Sequence, residues 1–143
     1  MKKIILPFIA ITALSLGSCN TAGDEEYKNM SSDMCDCMTK ASKDISPEMQ
    51  KAVVDGNKAG KDMTAIMTDY MAQNPEGVMN DVTAFQTAAV GFEKCGKDLE
   101  TKYKDVYTRE SEDEAMKKLV KIMGEDKGCA FVHATVQLGL KEK

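Results

Sequence analysis

Apolar residues recur along this chain at helical intervals. The clearest run is Val78, Val82, Phe85, Ala89, Phe92, Gly96, Leu99, Tyr103 and Val106, in alternating steps of four and three. A seam of that period, held over about four heptads, is the mark of a long helix packed in a bundle. Asn74-Pro75-Glu76 supplies an N-cap, a proline at the first helical position and an acid in the first turn. The pattern therefore predicts one helix from Pro75 to Val106. Ser46-Pro47-Glu48 repeats the start signal, and Met49, Val53, Gly56, Gly60, Met63, Met67 and Tyr70 continue along one stripe, with Ala52, Ile66 and Met71 beside it. Gly56 and Gly60 lie one turn apart on that stripe. Each costs about 1 kcal/mol of helix propensity, so close approach of a neighbouring helix is the expected compensation. Their spacing carries no membrane meaning, because Lys58, Lys61 and Asp62 are interleaved.

Three further elements follow from the same periodicity. Tyr27, Met30, Met34, Cys37 and Ala41 form the seam of a first helix over Glu25 to Ala41. Ser111-Glu112-Asp113-Glu114 has the form of a capping box and opens a helix through Met116, Leu119, Val120 and Met123 to Gly124, its C-cap. From Cys129 to Leu140, Phe131, Val132 and Val136 would tolerate a strand, whereas Phe131, Ala134 and Leu138 suit a helix restarted at Asp126; helix is the preferred reading. No segment sustains a two-residue alternation. The expected fold is all-α, a bundle of four or five helices with short connections, without a second domain or internal repeat.

The N-terminus has a different character. Lys2 and Lys3 precede an apolar stretch from Ile4 to Leu16, broken by Pro7, Thr12 and Ser15, that ends in Leu16-Gly17-Ser18-Cys19. The stretch is shorter than the roughly 20 apolar residues a stable membrane span needs, and its zones follow the order of an export signal. Leu at −3 and small residues at −2 and −1 before the cysteine resemble the lipobox of bacterial lipoproteins. That resemblance covers the first 19 residues and implies a diacylglyceryl group, with palmitate-type acyl chains, on the Cys19 sulfur and cleavage just before it. Gly17 departs from the more usual Ala or Ser. Asp24-Glu25-Glu26 is similar to the acidic run behind the cysteine of surface-exposed lipoproteins of the Bacteroidota, although acids also suit the first turn of a helix. The organisation implied is a signal peptide over 1–18, a lipidated tether over 19–26 whose end runs into the first helix, and a helical domain over 27–143. The expected location is the cell envelope, at the outer membrane, facing the periplasm or the surface.

Charge narrows the partners. Lys2 and Lys3 leave with the signal, so the basic count falls from 19 to 17 against 23 acids, and the mature chain carries a formal −6. No basic run or aromatic cluster is present to neutralise phosphates, which argues against nucleic acid. The same charge opposes attachment to anionic lipid, so the membrane contact falls to the acyl chains. A protein or small-ligand partner stays open.

The cysteines are the main chemical feature. With Cys19 acylated, Cys35, Cys37, Cys95 and Cys129 form an even set, which in an oxidising compartment reads as two disulfides. Only 6% of residues are aromatic and Trp is absent, so such a core gains from covalent staples. At about 100° per residue, positions two apart on a helix diverge by about 160°, so Cys35 and Cys37 should each need its own partner. Three connectivities are open; the seams favour Cys37 with Cys95, leaving Cys35 with Cys129.

Two alternatives involve chemistry. A thiol–disulfide exchange site at Cys35 and Cys37 is disfavoured by the mid-helix position and by Asp33 and Asp36, which would raise a thiol pKa. Metal handling could use Cys129 with His133 for zinc, or the thioether stripes Met30, Met34, Met38 and Met63, Met67, Met71 for copper. The plainer account of those methionines is core filling in a chain short of large aromatics, and a Met-rich surface for an apolar or peptide partner is a further reading. Glu110, Glu112, Asp113 and Glu114 lack the alternating oxygen ligands and central glycine of a calcium loop. No phosphate loop, nucleophile elbow or second histidine is present. The preferred reading is a non-enzymatic envelope lipoprotein, a binding or structural module without a cofactor beyond the lipid on Cys19.

Overall fold

The fold is described over residues 23–141 of a computed structural model. The expected signal peptide, Cys19 and the start of the expected tether fall outside the described residues. Seven α-helices follow in order: α1 Asp24–Ala41, α2 Pro47–Lys58, α3 Met63–Gln73, α4 Val78–Lys102, α5 Lys104–Arg109, α6 Glu112–Met123 and α7 Ala130–Lys141. A single 3-10 turn, Lys127–Cys129, leads into α7. The described residues include no strand, and the chain is an all-α bundle stapled by two disulfides.

Seven helices replace five expected segments because two of the segments are each divided. The stripe from Met49 to Tyr70 is continuous in sequence, but the backbone reverses between Lys58 and Met63. Gly60 adopts φ +76°, a left-handed conformation that a side chain would disfavour, and Asp62 caps the new helix by accepting from Ala65 N at 2.7 Å. Gly60 is thus a turn residue, not a helix-packing glycine. Gly56 does serve close approach: a Cβ there would lie 2.3 Å from Ile66 Cγ1 of α3. The second division falls at Tyr103, which ends α4 and begins α5. Pro75 lies in a turn and α4 starts at Val78, three residues later than the proline signal suggested, with Val78 N bonded back to Asn74 O. At the other end of the chain, α1 begins at Asp24, so all three acids behind the tether occupy its first turn.

Helix α1 is the centre of the bundle, packed against α4, α6 and α7. It runs antiparallel to α4, with Ala41 against Gly91, Cys37 bonded to Cys95, and Asp33 beside Lys102 and Tyr103. Helix α2 packs on α7, and α3 packs mainly on α2. The α2–α7 contact carries hydrogen bonds from Asn57 Nδ2 to Gln137 Oε1 and from Lys141 Nζ to Asn57 Oδ1. The core collects Tyr27, Met30, Met49, Val53, Leu119, Met123, Val132 and Leu138, each nearly without exposure. On α4 the buried positions are Asp81, Ala88, Cys95 and Leu99; Ala89 and Gly96, expected on the seam, face outward. The seam is therefore rotated slightly, which is what places Cys95 toward α1. No helix among the described residues is long and apolar enough to cross a membrane.

Candidate functional site

Helical geometry sends the sulfurs of Cys35 and Cys37 to different neighbours. Cys35 is bonded to Cys129 at the entrance to α7, with Cα atoms 5.5 Å apart, and Cys37 to Cys95 of α4, with Cα atoms 5.9 Å apart. This is the connectivity the apolar seams favour. An exchange site built from Cys35 and Cys37 would need their sulfurs to meet, and each is engaged elsewhere. Cys129 offers no free thiolate beside His133. The His133 ring is half-buried over Gly124, where a Cβ would lie 3.1 Å from its Nε2, and burial lowers its pKa. Met30, Met34 and Met38 are buried in the core, Met63 and Met67 are half-buried against it, and Met71 is 44% exposed. Among the described residues no three His, Cys, Asp or Glu side chains are grouped to hold a metal ion.

Two polar clusters hold the helices in place. At the start of α4, Asp81 is 5% exposed and accepts from Ser46 N at 2.9 Å, from Ser46 Oγ at 2.8 Å and from the Tyr70 hydroxyl. Ser46 also caps α2, its Oγ accepting from Met49 N. Burial pushes the Asp81 carboxyl up, but the Tyr70 and Ser46 donors outweigh it and hold it below the ordinary carboxylate range. At the start of α1, Arg109 Nη2 donates to both carboxylate oxygens of Glu26, at 2.7 and 2.8 Å. Beside it the Tyr27 hydroxyl donates to Glu110, which also pairs with Lys118. Burial, then the Glu110 contact, pushes the Tyr27 hydroxyl up to about 12. Both clusters are internally satisfied, and both read as struts.

A cleft beneath α5 is different. It encloses about 540 Å³ and is lined by Met34 of α1, Gly96, Leu99 and Glu100 of α4, Tyr107 of α5, and Glu112 and Met116 of α6. It lies at the break where Tyr103 ends α4 and begins α5, and Tyr107 of α5 joins its lining. The Tyr103 hydroxyl fixes that break by donating to Asp33 Oδ2 at 2.5 Å, alongside Lys102. Gly96 forms part of the wall, and a Cβ added there would meet nothing within 4 Å. The floor is apolar, with Leu99 4% and Met34 7% exposed. Glu100 and Glu112 stand at the rim, and neither has an ion-pair partner among the described residues. Burial, then the charges of Glu112 and Glu100, raise the pKa of the Tyr107 hydroxyl, so both carboxylates act on one point of the cleft.

The groove between α2 and α3 offers a contrast. It holds about 500 Å³, but four of its rim charges pair with each other, Lys51 with Asp55 and Lys61 with Asp69, each at 2.5 Å. Its need for a charged ligand is correspondingly smaller. Sequence reasoning missed the cleft beneath α5. Glu112 reads as a first-turn acid and Glu100 as a solvent-facing residue, and only the turn at Tyr103 brings them to one opening. The apolar spacing passes through Tyr103 without a change of phase, so no signal in the sequence marked the break. Comparison with models of protein families, with curated proteins and with solved structures finds no match, so the chemistry of this cleft rests on its own geometry.

Proposed function

We propose that the mature chain is a non-enzymatic envelope lipoprotein, anchored by lipid on Cys19 and acting as a binding module through the cleft beneath α5. The observation that carries the binding role is an open cleft with an apolar floor, lined by four helices, whose two rim carboxylates have no ion-pair partner among the described residues. Concave sites of this size, mostly apolar with a few converging polar groups, are where proteins take small ligands. The anchor rests on the lipobox resemblance of Leu16 to Cys19. Redox and metal readings gain no support from sulfurs already joined in pairs. The envelope location, at the outer membrane and facing periplasm or surface, belongs to the same proposal.

The two halves are tested separately. Cells grown with labelled palmitate should label the wild-type protein and not Cys19→Ala; label on the variant would contradict the anchor. For the cleft, the mature protein carrying labelled methionine methyl groups is titrated with a set of small cationic, neutral and anionic organic compounds. At least one class should shift the Met34 and Met116 methyl signals in a saturable way. If none does, the cleft is not a ligand site.

A further inference from the structure

We infer that the cleft beneath α5 takes a small organic cation: a compact apolar body, aromatic or alicyclic, carrying one ammonium group. This rests on the reading of the cleft as a ligand site and names the class of ligand. The apolar part follows from the lining. Met34, Leu99 and Met116 supply aliphatic and thioether surface, and thioethers contact aromatic rings favourably. The Tyr107 ring bounds the opening from α5 and can face either a second ring or a cation.

The charge follows from the rim. Glu100 comes from the last turns of α4 and Glu112 from the first turn of α6, so two separate elements bring negative charge to one opening. Four nearby cations are engaged elsewhere, Lys97 with Glu93 at 2.6 Å, Lys102 with Asp33, Arg109 with Glu26 and Lys118 with Glu110, and no lysine or arginine lines the cleft. An anion entering here would meet two carboxylates, and a neutral ligand would leave them without a counter-charge. A cation reaching both from an apolar floor is attracted by two carboxylates at once, and the low-dielectric wall beneath it focuses their field. The volume also decides between sources. About 540 Å³, lined by residues of α1, α4, α5 and α6, suits a molecule of small-ligand size rather than an extended chain.

Gly96 gives a clean control. It lies mid-helix without a positive φ, and nothing occupies the space above it, so a larger side chain would enter the cleft and leave the α1–α4 contact alone. Phenethylammonium is the probe, with phenethyl alcohol and 3-phenylpropanoate as neutral and anionic counterparts. Each is titrated into the mature lipoprotein in nanodiscs of neutral phosphatidylcholine, and methionine methyl signals are followed by NMR. Met34 and Met116 report the cleft; Met49 and Met123, fully buried elsewhere, are internal controls.

The cation should shift the two reporters saturably and bind about tenfold more tightly than the alcohol. Glu100→Gln with Glu112→Gln should erase that preference, and Gly96→Leu should abolish binding while the control signals keep their positions. Equal binding of alcohol and cation would overturn the cation assignment and leave a binding cleft. Tighter binding of the carboxylate would overturn it likewise. Reporters that move with no probe would overturn the ligand site itself.

Discussion

Asp81 holds a charge inside the protein without a cation beside it. Ser46 N, Ser46 Oγ and the Tyr70 hydroxyl take that place, tying the entrance of α2, the end of α3 and the start of α4 to one carboxylate. Hydrogen bonds to a charged group contribute about 1.5–3 kcal/mol each, and a buried donor left unpaired costs about as much. Asp81→Ala should therefore lower unfolding free energy by about 2–3 kcal/mol in urea. Asp81→Asn keeps the shape and isolates the charge. Because the folded-state carboxyl lies below its ordinary value of 3.8, the folded protein releases this proton more readily than the unfolded chain. Its stabilisation is complete above that value and is lost as pH falls through the lower folded value. Between about pH 6 and about pH 2 the wild type should lose more stability than Asp81→Asn. Parallel losses in the two proteins would show that the carboxylate is not held in this way. None of this was legible in the sequence. Asp81 lies on the apolar face of a long helix, and its partners lie 35 and 11 residues away.

At the scale of elements, the sequence marks helices better than it marks their ends. The capping serines performed as their spacing suggested: Ser46 accepts from Met49 N and Ser111 from Glu114 N. A cap is local, so four residues suffice to encode it. The break between α2 and α3 is encoded by Gly60 and the Asp62 cap, while the apolar stripe passes through it without a change of phase. The two glycines of that stripe have opposite jobs, and substitution separates them. Gly60→Ala forces a side chain into left-handed backbone and should cost about 1–2 kcal/mol without altering the α2–α3 contact. Gly56→Ala drives a methyl into Ile66 and should undock α3, exposing amides of Met63–Gln73 to faster hydrogen exchange. Faster exchange in α3 for Gly60→Ala, and none for Gly56→Ala, would reverse these assignments. The same limit hid the cleft: a seam of correct period runs straight across Tyr103, and only the backbone turn there reveals that Glu100 and Glu112 share an opening.

For the whole molecule, the four domain cysteines do the work of holding, and the proposal gives Cys19 the work of anchoring. The bridges span sequence separations of 94 and 58 and pin α1 to the entrance of α7 and to α4. In the chain-entropy account, each loop of this length contributes about 2–4 kcal/mol, with some overlap because the loops share much of the chain. That matters for a small domain whose core relies on methionine. In the proposed arrangement, Cys19 would hold the lipid only five residues before α1, within about 18 Å along an extended chain. The Glu26–Arg109 and Tyr27–Glu110 contacts then brace the end of the bundle nearest the membrane. The even set of domain cysteines and the single cysteine of the lipobox are one claim, and mass spectrometry of the protein isolated from membranes tests both parts. The account predicts a chain beginning at Cys19 with a diacylglyceryl adduct, no alkylation before reduction, and four alkylated cysteines after reduction in denaturant. A retained signal peptide without lipid, or any domain cysteine alkylated before reduction, would contradict it.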